Sequence, residues 1–461
     1  MLSVGIIFAR KNETAEQYFL AGRNMPWLVV AMSMFASLTS AVTFMGIPHL
    51  AYVDNVSIFM GVIISPLVAP VLITLFYPVY WRYKVTTSYD YIAIRFGNNA
   101  RYCVSSLFVL ARLGWLGTVI YAPAMALHTA TGIPLNMSIA LMGTGATLYT
   151  LLGGLKAVLW TDVLQFVVLA GGAVWIALSL GNELGISNII QSANEAGKLD
   201  IFEWGIDLSK MTATAAMVSY FFIFMQDYGT DQISVQRLIS VKSFRGLAKS
   251  IVFNSFMDVI INGILLFIGL GLFLKYSGTV LSGELEDIAL LPFYIVTSLP
   301  DGISGLIITG IFAAAMSSMD SGLNSVSTVV INDFIKPISS STISEAKTIS
   351  NGRLITLGLG ICSTAMAFLA SRIGHIVEVW SNFMGLFAAP VLAMFLLGLL
   401  SKNSKFVDWV IGVLPAIILI LLLRRFTTTH WIYLFPISLT TNLLISTLSG
   451  FVRLKCLKSS V

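Results

Sequence analysis

The segment from Ala313 to Thr328 reads AAAMSSMDSGLNSVST and follows the apolar run GLIITGIF. At 3.6 residues per turn, Ser317, Ser321, Asn324 and Thr328 share a narrow stripe. Ser318 and Ser325 lie beside it and Asp320 on its other edge, while Ile311, Met319, Leu323 and Val326 take the opposite face. Hydroxyl and carbonyl oxygens suit a hard cation such as sodium, by the logic that suits other hard ions. Serine hydroxyls alone bind weakly, so peptide carbonyls from a broken helix have to complete such a shell. The plainer alternative is close helix packing through small residues. It accounts for the alanines and glycine, for the serines in part, and leaves Asp320 unexplained.

Two helices with suitable breaks are visible. The run WLVVAMSMFASLTSAVTFMGIPHLAY carries Ser37, Thr39, Ser40 and Thr43 at its centre, then Gly46 and Pro48. The run AAMVSYFFIFMQDYGTDQISVQRL is interrupted by Gln226, Asp227, Tyr228, Gly229, Thr230, Asp231 and Gln232. Each opens a block of five apolar runs. Interrupted helices at matching positions of two halves point to an inverted-repeat transporter, in which freed carbonyls and helix ends serve as ligands. For a single such run, serines bonding back to their own helix would be the simpler account; two in register favour the transporter. Asp162, in GGLKAVLWTDVLQF, is either solvated near the cytoplasmic interface or, facing Asp320 or Ser321, part of a second cation or proton site. Asp258 and Glu378 also fall within apolar runs, where burial against a hydroxyl or amide is the default.

These helices require a membrane. Hydrophobic residues make up 57% of the 461-residue chain and charged residues 11%, against about 25% charged in a soluble domain. Twelve spans are expected, at roughly 27–52, 56–81, 103–127, 134–152, 158–181, 212–235, 247–274, 303–329, 353–371, 376–400, 407–423 and 431–452, each near the about 20 residues that cross a bilayer. The start MLSVGIIFAR reads as the end of a further helix, and residues 1–25 as that remnant plus a cytoplasmic loop. A transporter core is expected over 26–402, with repeats at about 26–181 and 211–402. Residues 403–461 form two C-terminal helices and a short cytoplasmic tail.

The net charge of +5 is a topological signal. With the loop after Arg10 inside, 20 of the 27 basic residues fall in cytoplasmic segments, as the positive-inside rule describes. Nucleic-acid binding is therefore not implied, nor an obligate protein partner, and the plasma membrane is the expected location. Cys103, Cys362 and Cys456 are far apart without a CxxC, and the histidines at 49, 128, 375 and 430 form no metal cluster. An enzyme would need a clustered nucleophile and base or a metal set; a channel would need repeated ligand rings; a sensor would need an output domain. A proton-coupled carrier using Asp162 or Asp320 remains the alternative to sodium coupling, with an ion channel or a sensor that has lost transport behind it.

The stretches EQYFLAGRNMPW, FASLTSAVTFMGIP, TSYDYIAIRF, TVIYAPAMALHTATG, YTLLGGLKAVLWTDVLQ, QISVQR and FAAAMSSMDSGLNS together resemble the sodium:solute symporter family. VIYAPAMAL and GGLKAVLWTD look closest to its iodide, monocarboxylate and multivitamin branch. The resemblance implies an all-α membrane protein with a leucine-transporter-like core of five plus five inverted helices and extra flanking helices. It implies a symporter that imports a small organic solute with sodium by alternating access, with no cofactor beyond the co-transported ion. By motif, carbonyls of Ala36, Thr39 and Ala314 and hydroxyls of Ser317 and Ser318 would hold the main sodium ion. A second cation site would use Asp162, Asp320 and Ser321, where an aspartate among the serines departs from the family pattern. The solute pocket would draw on Thr39, Ser40, Thr43, Val62, Trp115, Gln226, Tyr228 and Asn382. Trp115 stands where sialic acid carriers look to have an arginine. Arg112, one turn earlier, is either its substitute or a structural partner for an aspartate or helix-end carbonyls.

Overall fold

The computed structural model describes residues 14–277, 289–339, 344–370 and 383–459. Most of the expected N-terminal remnant lies outside them, as do Asn382 and Glu378. Among the described residues every regular element is a helix, apart from one isolated bridge between Met25 and Val241. The helices that carry the argument are α1 (Trp27–Leu38), α2 (Ala41–Val53), α3 (Ile58–Val62), α4 (Ser65–Val71), α5 (Asn98–Thr131), α6 (Leu135–Leu184), α7 (Ala213–Gly229), α8 (Gln232–Leu238), α9 (Phe244–Tyr276) and α10 (Ile303–Val329). Three more follow: α11 (Glu345–Ala370), α12 (Ala389–Leu400) and α13 (Phe406–Phe426), before the last, α14 (Leu434–Ser459).

Among the described residues, eight helices are long and apolar enough to cross a membrane, and the pair α1 and α2, bent by 59° at its break, makes a ninth candidate span. The remaining expected spans correspond to shorter pieces among the described residues: Leu135–Leu148, α7 with α8, and Met384–Leu400. The apolar runs at 134–152 and 158–181 both fall inside α6.

Both expected breaks are present, and each has a local cause. α1 ends at Leu38; Thr39 (ψ 86°) and Ser40 (ψ 175°) leave helical geometry, and the Ser40 hydroxyl accepts from the Val42 N–H to restart the chain as α2. α7 ends at Gly229, and the Asp231 carboxylate accepts from the Ile233 N–H to start α8. Short polar side chains that bond the first free N–H groups are what a helix start selects. In hydrocarbon, helices associate by packing and polar contacts, with no hydrophobic drive between them. Close approach matters accordingly: a Cβ at Gly269 would lie 2.3 Å from the Pro48 carbonyl oxygen, so glycine is what lets α9 lie against α2. α10 packs on α6, α5 and α1, and α9 on α2, α6 and α1, which surrounds the first break with protein.

The outer end of α2 is closed by a distant cation. The Lys198 ammonium donates to the carbonyls of Tyr52 (2.8 Å), Val53 (3.4 Å) and Asp54 (2.7 Å) and sits 4.4 Å from the centre of the Phe273 ring. Positive charge on terminal carbonyls is favourable by both hydrogen bonding and the helix dipole. Burial draws the Lys198 pKa below its ordinary value, and Asp54 pulls it back up. Lys198→Met should cost about 1.5–3 kcal/mol, the range for hydrogen bonds to a charged group. Thermal unfolding in detergent should show this as a lower Tm, with Lys198→Arg retaining most of the stability; an unchanged Lys198→Met protein would refute the clamp.

Candidate functional site

The serine face of α10 meets the end of α1. The Ser318 hydroxyl donates to the Ser37 carbonyl at 3.0 Å, and the Ser321 hydroxyl lies 2.9 Å from the Ser37 hydroxyl. Ser317 donates to Asp162 Oδ1 at 2.6 Å, and Ser33 to Oδ2 at 2.5 Å. Ser317, Ser318, Ser321 and Asp162 are all at most 1% exposed. Asp162 is therefore buried, which removes the reading of a solvated interfacial charge.

Its partner is a residue that sequence reasoning assigned to a cytoplasmic segment. Arg237, on α8, is 1% exposed. Its guanidinium donates to Ser33 Oγ (3.0 Å), to Asp162 Oδ2 (3.4 Å), to the Ser321 hydroxyl and to the Ile233 carbonyl (3.1 Å). A buried carboxylate so close to a guanidinium is the pairing that makes either charge tolerable there. Asp320 takes another direction. Its Oδ1 accepts from Thr150 on α6, while its buried Oδ2 has no hydrogen-bond partner. Thus Asp162 and Ser321 are brought together around Arg237 and Ser37, and Asp320 shares no hydrogen bond with either.

The two helix breaks treat their carbonyls differently. At the second, Tyr77 donates to the Tyr228 carbonyl (2.5 Å), Tyr80 to that of Gly229 (2.6 Å) and Ser88 to that of Thr230 (2.9 Å). Hydroxyls from one neighbouring region of the chain thus reach three carbonyls here, while that of Asp227 accepts no hydrogen bond from any described residue. At the first, Thr39 N–H takes the Phe35 carbonyl and Ser318 takes that of Ser37. The carbonyls of Ala36, Leu38 and Thr39 accept no hydrogen bond from any described residue. A helix leaves its last four carbonyls without intrahelical partners; in a dry interior such groups attract a cation.

A cavity of about 160 Å³ adjoins the first break. Thr39, Ser40, Thr43, Val62, Arg112, Trp115 and Tyr228 line it. Gln226 does not; it faces a narrower recess with Arg112 and Asp231. Asn382 lies outside the described residues. Asp227, Asp258, Asn262, Tyr220 and Phe224 also line the cavity and were missed as pocket residues. The α7 members recur every three or four positions, a signal readable at helical period once the facing side is known.

Arg112 is engaged. Nε donates to Asp231 Oδ2 at 2.7 Å, Nη2 donates to the same oxygen, and Asp227 Oδ1 is 3.7 Å away. The guanidinium carbon also lies 4.8 Å from the centre of the Trp115 ring. Of the two readings of Arg112, the structural partner of an aspartate describes its contacts.

Comparisons with known proteins point to one family of transporters. The profile of the sodium:solute symporter family matches residues 18–405. The sodium/sialic acid symporter SiaT of Proteus mirabilis is 31% identical over 431 residues, covering 92% of this chain and 87% of that protein. Mouse sodium-coupled monocarboxylate transporter 2 is 31% identical over 422 residues, 88% of this chain and 67% of its own length. The solved structure of a sodium-coupled sialic acid symporter, substrate-bound and outward-open, superposes with a TM-score of 0.91 at 29% identity, covering 98% of this chain and 95% of that one. Mhp1, a nucleobase-cation-symport-1 family transporter in a closed conformation, shares the fold at 14% identity and TM-score 0.56, over 93% of this chain and 92% of its own. A helical multi-pass membrane protein with its serine helix set against a broken helix, and with these relatives, belongs to the sodium:solute symporter family and works as a sodium-coupled symporter.

Proposed function

We propose that the co-transported sodium ion binds where α10 faces the first break, held by the carbonyls of Ala36, Thr39 and Ala314 and the hydroxyls of Ser317 and Ser318. The observation that carries this reading is the difference between the breaks. Nearby hydroxyls occupy three carbonyls of the second and leave that of Asp227, whereas at the first a hydroxyl reaches one carbonyl and three accept no hydrogen bond from any described residue. Ser318 already reaches the peptide of Ser37 at 3.0 Å, close enough for its oxygen to join a shell with the neighbouring carbonyls.

The solute site is the adjoining cavity, and Thr39 belongs to both: its peptide lies in the break and its residue lines the cavity. Sodium bound there orders the break and with it one cavity wall, so each ligand raises the other's affinity by the same factor. Rocking of one helix bundle against the other then releases both inward, at the plasma membrane, with voltage contributing about 2.3 kcal/mol per charge per 100 mV. The matching breaks and caps in the two halves support a core over 26–402 built of inverted repeats at about 26–181 and 211–402, two further helices in 403–461, and about twelve spans in all. A second cation beside Asp162 and Ser321 would compete with the Arg237 guanidinium for the same oxygens.

In proteoliposomes, counterflow uptake should require sodium; equal uptake with potassium in its place would defeat the coupling. Ser318→Ala should raise the sodium concentration for half-maximal thermal stabilisation by about ten- to a hundredfold, a loss of one charge-assisted ligand. Tyr80→Phe, at the second break, should lower Tm without moving that concentration. Arg112→Ala should cost about 3–5 kcal/mol of stability by leaving Asp231 buried and unpaired. The double variant Arg112→Met/Asp231→Leu should recover part of that Tm loss; no recovery would mean the pair is not the reason for the arginine.

A further inference from the structure

We propose that the solute carried in this cavity bears a positively charged nitrogen, as a protonated amine or quaternary ammonium. This deepens the reading of the cavity as the solute site and rests on it. The solutes named for the relatives above, sialic acid and monocarboxylates, are anions at neutral pH, and the cavity walls of this chain are poorly made for an anion.

Among the described residues, two carboxylates line the cavity, Asp227 and Asp258, and one basic residue, Arg112. That guanidinium is shared between Asp231 and Asp227, so its charge is already paired. Asp258 is 5% exposed, and every hydrogen bond it receives falls on the same oxygen: Ser65 at 2.9 Å, Asn254 at 3.4 Å, and the Tyr228 hydroxyl, all on Oδ2. Oδ1 receives none and is left to the cavity wall.

Asn262 repeats the pattern one turn along α9. It is 8% exposed; its amide nitrogen donates to the Asp258 carbonyl at 2.8 Å, while its amide oxygen has no partner and the residue lines the cavity. A carboxylate oxygen and an amide oxygen, one turn apart on one helix face and without a hydrogen bond in the protein, are both open to a donor from the cavity. A further carboxylate brought beside them in a low-dielectric site would be repelled.

The rest of the wall is aromatic. Tyr220, Phe224 and Tyr228 recur every four residues on α7, with ring centres 5.5 and 5.7 Å apart along the row, and Trp115 also lines the cavity. The row is held close to α3 by a missing side chain: a Cβ at Gly61 would come within 2.4 Å of the Tyr220 ring. Ring faces attract cations, quaternary ammonium groups in particular, and add nothing for carboxylates. A cavity of about 160 Å³ is near the size that holds benzene in an engineered protein core, which fits a small ammonium compound.

The test is thermal stabilisation of the purified full chain in sodium buffer by size-matched sets: choline, 3,3-dimethylbutan-1-ol and 3,3-dimethylbutanoate; benzylamine, benzyl alcohol and benzoate. The cationic member of a set should raise Tm at a concentration at least tenfold below its neutral and anionic partners. Asp258→Asn should weaken that cation by tenfold or more, and Tyr220→Leu, which leaves the carboxylates in place, by about three- to thirtyfold. The second variant keeps the test decisive if the first does not fold. Stabilisation by the anionic members at equal or lower concentration, no stabilisation by either cation, or unchanged cation affinity in Tyr220→Leu overturns the proposal. Sodium alone raising the Tm of the parent protein but not of Ser318→Ala reports separately on the sodium reading, so the two can fail independently.

Discussion

An unpaired peptide carbonyl inside a membrane protein is costly, because no water is present to bond it, and each such group forfeits several kcal/mol. Two helices of this chain break in mid-course and release carbonyls at those points. The α7–α8 break is closed by Tyr77, Tyr80 and Ser88, whose hydroxyls reach three successive carbonyls. The α1–α2 break is held by Ser318 at one carbonyl and leaves three others without a described partner. The two breaks therefore differ in degree: hydroxyls reach three carbonyls of one and a single carbonyl of the other.

Buried charge obeys the same constraint. Asp333 is satisfied by Thr87 at 2.8 Å and Ser105 at 2.7 Å, an arrangement of hydroxyls around one carboxylate that recurs at Asp162 with Ser33 and Ser317. At Asp162 a guanidinium is added. Arg237 comes from α8, beyond the second break, and touches residues of α1, α6 and α10. A single side chain thereby ties the helix after one break to the helix before the other. Truncating a buried partner of this kind leaves a charge with nothing to offset it, so the geometry is held firmly even where the net stabilisation of the pair is small.

Some of this was legible from residues alone. The serine stripe of α10 follows from helical period, and the breaks follow from clustered Ser, Thr, Asp and Gly in otherwise apolar runs. Polar residues there are chosen for local geometry, and local geometry is written locally. Arg237 was assigned to a cytoplasmic segment because an arginine near the end of an apolar run obeys the positive-inside pattern whether or not it folds inward. Asp258 was expected to find a hydroxyl or amide and does so in Ser65, Tyr228 and Asn254, yet nothing local tells that its second oxygen reaches a cavity. The hydroxyls that close the second break lie about 150 residues earlier in the chain, as the Tyr77 to Tyr228 bond illustrates with a separation of 151. Such pairings are set by packing, and one sequence read in isolation does not contain them. The short described pieces Leu135–Leu148 and Met384–Leu400 leave the count of spans as part of the proposed architecture.

Charge accounting around the cavity bears on how coupling could operate. For an anionic solute, sodium would assist directly by neutralisation. Here Arg112 is paired with Asp231 and lies 3.7 Å from Asp227, and Asp258 lines the same cavity, so among the described residues the wall offers an anion no unpaired cation. The linkage between a sodium ion at the break and an ammonium group on the solute then has to come from shape: Thr39, fixed by one ligand, presents an ordered wall to the other. Coupling of that kind depends on the stiffness of two or three residues between the sites, which is the property that an unsatisfied break filled by an ion acquires and an already satisfied one cannot.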